Sequence, residues 1–231
     1  MIDLLKTHPF FKEKNIVSCT LLENQGYCNE NYLVVADEVK YIVRKLLRDD
    51  IDRDFEWQIQ NLAFTQGITA EPLIFDKKNG FMVFSFLEGA HKITISEDDL
   101  KRFAKNLQKL HNIKIDTKPI ELNIGNITDE VIKAFEIINN YPKDHVLCHN
   151  DLNPQNIFFS HDVKFIDWEY AGVNDRYFDL ACVCVEFRLN DEVQDLFLNV
   201  YFGDKDFVLE KLQAYKVIYK TLCEEWFNSS V

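Results

Sequence analysis

The hydrophobic pattern of this chain shifts near Glu88-Gly89 from mostly strand-like to mostly helical, and that shift limits the folds open to it. Before it, apolar residues alternate in short runs broken by turn residues, the pattern of half-buried strands. Ile16 to Leu22 reads as a strand with its turn at Gln25-Gly26-Tyr27-Cys28-Asn29. Asn31 to Ala36 returns with Tyr32, Val34 and Ala36 on one face, Asp37-Glu38 turns again, and Tyr41 to Leu46 forms a third strand. Asp54 to Gln66 carries Phe55, Ile59, Leu62, Ala63 and Gln66 at helical spacing, with Gly67 as its stop. Leu73 to Asp76 and Phe81 to Phe86 complete a hairpin around Lys78-Asn79-Gly80.

After the break the period becomes helical. Ser96 followed by Glu97-Asp98-Asp99 is a helix start, with a capping hydroxyl and acids in the first turn. Leu100, Phe103, Leu107 and Leu110 continue it. Thr128 to Asn139, Asp179 to Leu189, Glu192 to Tyr201 and Phe207 to Phe227 read as further helices. A strand-rich half followed by a helix-rich half predicts an α+β, two-lobed layout with a cleft between the lobes. The boundary puts an N-terminal lobe at 1–88 and a C-terminal lobe at 89–231.

Composition excludes several functions. A net charge of −12 argues against a general nucleic-acid binder and favours a neutral or cationic small substrate. The six cysteines, at 19, 28, 148, 182, 184 and 223, form no CxxC pair and no zinc-ligand spacing, so free thiols in a reducing cytoplasm are expected. Met1 to Phe10 carries Asp3, Lys6 and His8, which fits neither a signal peptide nor a membrane anchor.

Chemistry concentrates in His149-Asn150-Asp151-Leu152-Asn153-Pro154-Gln155-Asn156 and Phe165-Ile166-Asp167-Trp168-Glu169. Asn156 lies five residues after Asp151, and Asp167 eleven further on. A carboxylate can take the proton of an attacking hydroxyl, and an amide and a second carboxylate offer hard oxygens to Mg²⁺ on nucleotide phosphates. These are the parts that phosphoryl transfer needs. Asp151 alone could be a turn residue ahead of Pro154; with Asn156 and Asp167 it reads as the catalytic base. Glu169 reads equally as support for the metal or substrate and as a solvated loop acid.

With Ile166-Asp167-Trp168-Glu169-Tyr170 and Tyr177-Phe178-Asp179-Leu180-Ala181 added, residues 15 to 227 resemble the aminoglycoside phosphotransferase and choline kinase group. Within it they are most similar to small bacterial choline kinases of the LicA type. The resemblance implies a protein-kinase-like fold: an N-terminal lobe of antiparallel sheet plus helix that binds ATP, and a mainly helical C-terminal lobe for catalysis and substrate. It implies ATP and Mg²⁺ as cofactors, with Asn156 and Asp167 as metal ligands. His149 and Asp179 become structural supports of the catalytic loop, and His111 is better read as a satisfied helix-end histidine. Arg44 would touch the phosphates, with Lys45 and Arg48 as competitors. Its partner acid would be Glu56, Asp52 and Asp54 being alternatives. Gly26 and Asn29 belong to the turn over the phosphates, which has one glycine, and Cys28 stands where the group often has Ser or Thr. Phe86, in Phe84-Ser85-Phe86-Leu87-Glu88, would lie at the adenine, although a plain buried strand has the same letters.

The resemblance also implies choline as the alcohol. Its quaternary ammonium has no N–H to donate, so aromatic faces and a carboxylate should hold it. The candidates are Asn153, Glu169, Tyr170, Tyr177, Glu186 and Trp226, with core packing as the competing account of each aromatic. Cys223 stands where the group tends to show the first of two tryptophans. Val231 follows Trp226 closely, so the pocket wall is expected to be reduced or lent by a second copy in a homodimer. Ethanolamine, thiamine, an amino sugar or an aminoglycoside are alternative acceptors. A nucleotide-binding protein without turnover is the remaining reading.

Overall fold

The computed structural model describes residues 1–23 and 28–229. The chain divides into two compact units: Met1–Thr65 with Thr69–Glu88, and Gln66–Ile68 with Gly89–Val231. The short piece Gln66–Ile68 belongs to the second unit, which a single boundary near residue 88 misses. It does so because Phe165 N donates to Ile68 O at 2.8 Å and Ile68 is fully buried.

The first unit is a five-stranded antiparallel sheet flanked by two helices. Its strands are β1 (Ile16–Leu21), β2 (Asn29–Ala36), β3 (Val39–Leu46), β4 (Pro72–Asp76) and β5 (Phe81–Ser85), in the order β1-β2-β3-β5-β4. Asp37 and Glu38 both adopt left-handed φ, 48° and 65°, and make the two-residue hairpin whose twist suits the strands it joins. Successive side chains on β3 point to opposite faces. Tyr41 and Val43 join Val34, Ala36, Phe81 and Val83 on one face, covered by Leu5 and Phe11. Ile42 and Leu46 pack with Met82, Phe84, Phe75 and Trp57 on the other. Trp57 comes from α2 (Arg53–Thr65). Leu5 comes from α1 (Ile2–Thr7), a helix that the sequence reading does not contain. Asp3 and Lys6, which spoke against a membrane anchor, are its solvated face.

In the second unit, α3 (Glu97–His111) begins as expected, with Ser96 and Asp99 forming a reciprocal capping box. Its Phe103 is fully buried and packs edge-on against Phe165 at 5.2 Å. Thr128 caps α4 (Asp129–Asn139). Two short antiparallel pairs carry the loops between them: β6 (His145–Cys148) with β9 (Gly172–Asp175), and β7 (Ile157–Phe159) with β8 (Val163–Phe165). A Cβ at Gly172 would lie 2.6 Å from Ile120 Cδ1, so a larger residue there would displace the end of the partly exposed Ile120 side chain.

The next helix, α5 (Arg176–Glu186), starts three residues before the expected Asp179. Asp175 is its cap, accepting from Tyr177 N at 3.1 Å. α6 (Asp191–Phe202) and α7 (Leu209–Ser229) follow. α7 packs against α4 and α5, and α6 against α3. Among the described residues no helix is long and apolar enough to cross a membrane.

Candidate active site

In the second unit, Asp151 lies in the loop between β6 and β7. Both of its carboxylate oxygens accept amide hydrogens: Asn153 Nδ2 at 2.9 Å and Asn156 Nδ2 at 2.6 Å. Asn156 Nδ2 also reaches the Asp151 carbonyl at 2.9 Å. Asn153 Oδ1 accepts from Gln155 N and so starts the tight turn Pro154–Asn156. Asn153 therefore orients Asp151 and shapes the turn at once. Burial pushes the Asp151 carboxyl above its ordinary range; His149 and the two amides oppose the rise, and the Asp167 charge adds to it. A carboxylate whose proton affinity is raised in this way is a better acceptor for a hydroxyl proton.

The loop itself is irregular. Asn150 and Asp167 both adopt left-handed φ, 65° and 68°, a conformation that costs non-glycine residues energy and persists only where surroundings enforce it. Asp179 enforces it at Asn150. Its two oxygens accept from His149 N and Asn150 N, each at 2.8 Å. Asn150 Nδ2 in turn donates to the Tyr170 carbonyl at 3.0 Å, and Asn174 Nδ2 donates to Asn150 Oδ1 at 2.9 Å. His149 is fully buried against Trp168 and donates from Nε2 to Ile166 O at 2.9 Å, which joins the Asp151 loop to the segment leading into Asp167.

Beneath Asp179, His111 Nε2 stands 3.0 Å away, and His111 Nδ1 meets the Tyr201 hydroxyl at 2.5 Å. His111, Cys148 and Asp179 bring possible ligand atoms within 4.8 Å of one another. Their atoms are engaged in hydrogen bonds, with Cys148 Sγ pointing at the carbonyls of Asn174 and Asp175, so the cluster serves as a buried brace.

The alcohol-binding candidates fall into two groups. Glu186, half-buried at the end of α5, accepts from Tyr219 Oη at 2.8 Å. Burial raises its pKa, the Tyr219 bond opposes this, and the Asp151 charge adds to the rise, so the two carboxylates sense each other. Tyr219, Cys223 and Trp226 recur at i, i+4 and i+7 along α7 and share one of its faces. Trp226 is 37% exposed and Tyr170 40%. Glu169 is half-buried beside Tyr170.

Tyr177 is different. It is 5% exposed, its hydroxyl accepts from Val208 N at 2.9 Å, and the Lys211 ammonium already lies 4.7 Å over its ring. The expectation that Tyr177 offers a wall to a ligand is corrected: it belongs to the helical core. Sequence reasoning missed Tyr219, for which the helical spacing to Trp226 is the available signal. It also missed Asp175, which accepts from Lys211 Nζ at 2.6 Å as well as capping α5.

The nucleotide candidates lie in the first unit. Arg44 on β3 and Glu56 on α2 form a buried ion pair, NH1 to Oε1 at 3.0 Å, with side chains 9% and 3% exposed. The other two acids are used elsewhere. Asp52 accepts from Phe55 N at the start of α2, and Asp54 pairs with Lys77. Lys45 pairs with Glu30 and Arg48 with Asp50, both nearer the solvent. Asn31 Oδ1 accepts from Arg44 Nε at 3.3 Å. Asn29 Oδ1 accepts from Arg53, a residue that the sequence reading did not single out. Phe86, just beyond β5, is half-buried with Lys40 Nζ 4.8 Å over its ring. Gly26 lies outside the described residues.

Solved structures share this architecture. The choline kinase LicA from Streptococcus pneumoniae superposes with a TM-score of 0.84 at 22% identity, covering 98% of this chain and 89% of that one. The spectinomycin phosphotransferase APH(9)-Ia, solved with ADP and spectinomycin, gives 0.72 at 14% identity, covering 94% and 84%. The fold is the protein-kinase-like one of small-molecule phosphotransferases, antiparallel sheet and helices in an α+β arrangement. In sequence, protein LicA of Haemophilus influenzae is 29% identical over 209 residues, 76% of this chain; the match spans 60% of that protein's length. The choline/ethanolamine kinase family model matches residues 74–203, more than half of the chain. The chain belongs to the choline/ethanolamine kinase family, phosphotransferases with an alcohol as acceptor.

Proposed function

We propose that this protein is an ATP- and Mg²⁺-dependent kinase that transfers the γ-phosphate to the hydroxyl of choline, giving phosphocholine and ADP. The observation that carries the proposal is the Asp151 carboxylate, held on both oxygens by Asn153 and Asn156 and buried enough to raise its proton affinity. In this role Asp151 orients the alcohol and accepts its proton as the oxygen attacks phosphorus in line. Asn156 and Asp167 would hold the metal. The fit is chemical: Asn156 spends its Nδ2 on Asp151, so its amide oxygen is the atom it could offer a cation, and oxygen donors suit Mg²⁺. Bound there, the ion offsets charge on the phosphate oxygens. Arg44, fixed by Glu56, would add a guanidinium to the same task. Asn29, Gly26 and Phe86 are assigned to the nucleotide.

Glu186 with its Tyr219 bond is assigned to the ammonium of the alcohol, with Asn153, Glu169, Tyr170 and Trp226 around it. Tyr170 and Trp226, both partly exposed aromatic residues, favour a quaternary ammonium. The Glu186 carboxylate favours ethanolamine as a second acceptor, because a primary ammonium can donate hydrogen bonds to it. The free thiols support a reducing compartment such as the cytoplasm.

The test is ATP turnover with Mg²⁺ against choline, ethanolamine, thiamine and kanamycin, with Asp151→Asn alongside. Choline turnover that falls roughly 10³-fold in the variant is expected. Undiminished turnover in Asp151→Asn would remove the base assignment, and turnover on kanamycin alone would remove choline.

A further inference from the structure

We infer that Arg53 is a positioning residue for the nucleotide, setting how Arg44 and Asn29 are presented. The inference rests on the nucleotide role proposed for those two residues. Arg53 is the first residue of α2, and its side chain is 10% exposed. Its NH1 donates to Glu56 Oε2 at 2.7 Å, one turn along the helix. Its NH2 donates to Asn29 Oδ1 at 3.0 Å, at the start of β2. Asn29 and Glu56 are each 3% exposed.

The geometry has two consequences. Glu56 is shared: Oε1 takes Arg44 and Oε2 takes Arg53. A carboxylate facing one guanidinium tends to take it with both oxygens in a two-pronged pair. With Oε2 held by Arg53, Glu56 engages Arg44 through a single oxygen, and Arg44 keeps the rotation that also lets its Nε reach Asn31. The second consequence concerns Asn29. A guanidinium is a rigid plane with donors at fixed angles, so fixing one edge on Glu56 fixes where the other edge can meet an acceptor. Asn29, 24 residues away in sequence, is thereby tied to the start of α2. A lysine ammonium, a single point on a flexible stem, would not hold the two acceptors at fixed angles.

The test compares the unaltered protein with Arg53→Gln and Arg53→Lys. It measures dissociation constants for a non-hydrolysable ATP analogue and KM for ATP and for the alcohol separately. Expected for Arg53→Gln is a roughly tenfold rise in both ATP constants with the KM for alcohol unchanged. Arg53→Lys should fall between the two, and it carries the test if Arg53→Gln does not fold. ATP constants that stay put in the folded variants, or KM values for ATP and alcohol that rise together, would overturn the inference. Failure of the unaltered protein to bind the analogue at all would instead defeat the functional reading on which it stands.

Discussion

The two units position their candidate residues by different means. In the first unit, Arg44, Glu56, Asn29 and Arg53 stand on strands and a helix. Backbone ladders place them, and the side chains need only pair with one another. In the second unit, Asn150, Asp151 and Asp167 stand on loops, two of them with left-handed backbone. No ladder serves the N–H groups of His149 and Asn150, so a buried side chain, Asp179, accepts them. Regular structure distributes the positioning over many weak bonds. An irregular loop concentrates it in a few side chains that touch no substrate, and such a loop is vulnerable at a distance.

That contrast can be broken most directly at Asp179. Asp179→Asn places an N–H₂ against one of two backbone N–H groups, so one buried donor loses its acceptor. A stability loss of roughly 3 kcal/mol is expected. Turnover should fall about 10²-fold or more, because Asp151 moves with the loop. Chemical denaturation and steady-state rates check this; full activity in the variant would mean the loop is held by other bonds.

Glu56→Gln probes the first unit. It leaves two guanidiniums without their shared carboxylate, so stability should drop as well. The kinetic loss should appear chiefly in KM for ATP, by roughly tenfold, with a smaller change in kcat. A larger loss in kcat than the Asp179 variant gives would reverse the contrast.

The smallest effect sharpens the comparison inside the second unit, where α3 is a regular element with a local cap. Burial alone would raise the Asp99 pKa, but bonds from Lys92 and Ser96 hold it down to about 2, against an ordinary 3.8. A carboxylate depressed in the folded state adds stability that is complete above about pH 4 and is lost as pH falls toward 2; the shift corresponds to roughly 2 kcal/mol. Asp99→Asn should therefore lower stability at neutral pH and flatten its acid dependence in that window, while leaving turnover unchanged. Thermal melts between pH 2 and 7, with rates at pH 7, check both halves.

Much of this was legible in the chain because it depends on neighbours in sequence. The strand alternation, the Asp37-Glu38 hairpin, the Ser96 and Thr128 caps and the Gly67 stop are short-range signals, and each marks its element to within a few residues. That Asp151, Asn156 and Asp167 stand near one another was legible for the same reason, since their spacing is a property of one loop and the strand pair that follows it.

Tertiary structure decided what depends on packing between distant residues. It paired Arg44 with Glu56, the first choice among three nearby acids, and engaged the alternatives Asp52 and Asp54 elsewhere. It moved Tyr177 into the core under Lys211, and brought Tyr219 to Glu186 from 33 residues away. It also made a helix of Met1 to Phe10's charged stretch, because Leu5 and Phe11 could cover a sheet face. A side chain's own sequence neighbours set its backbone conformation, but which distant group it meets follows from how the elements close on each other, and no local pattern encodes that.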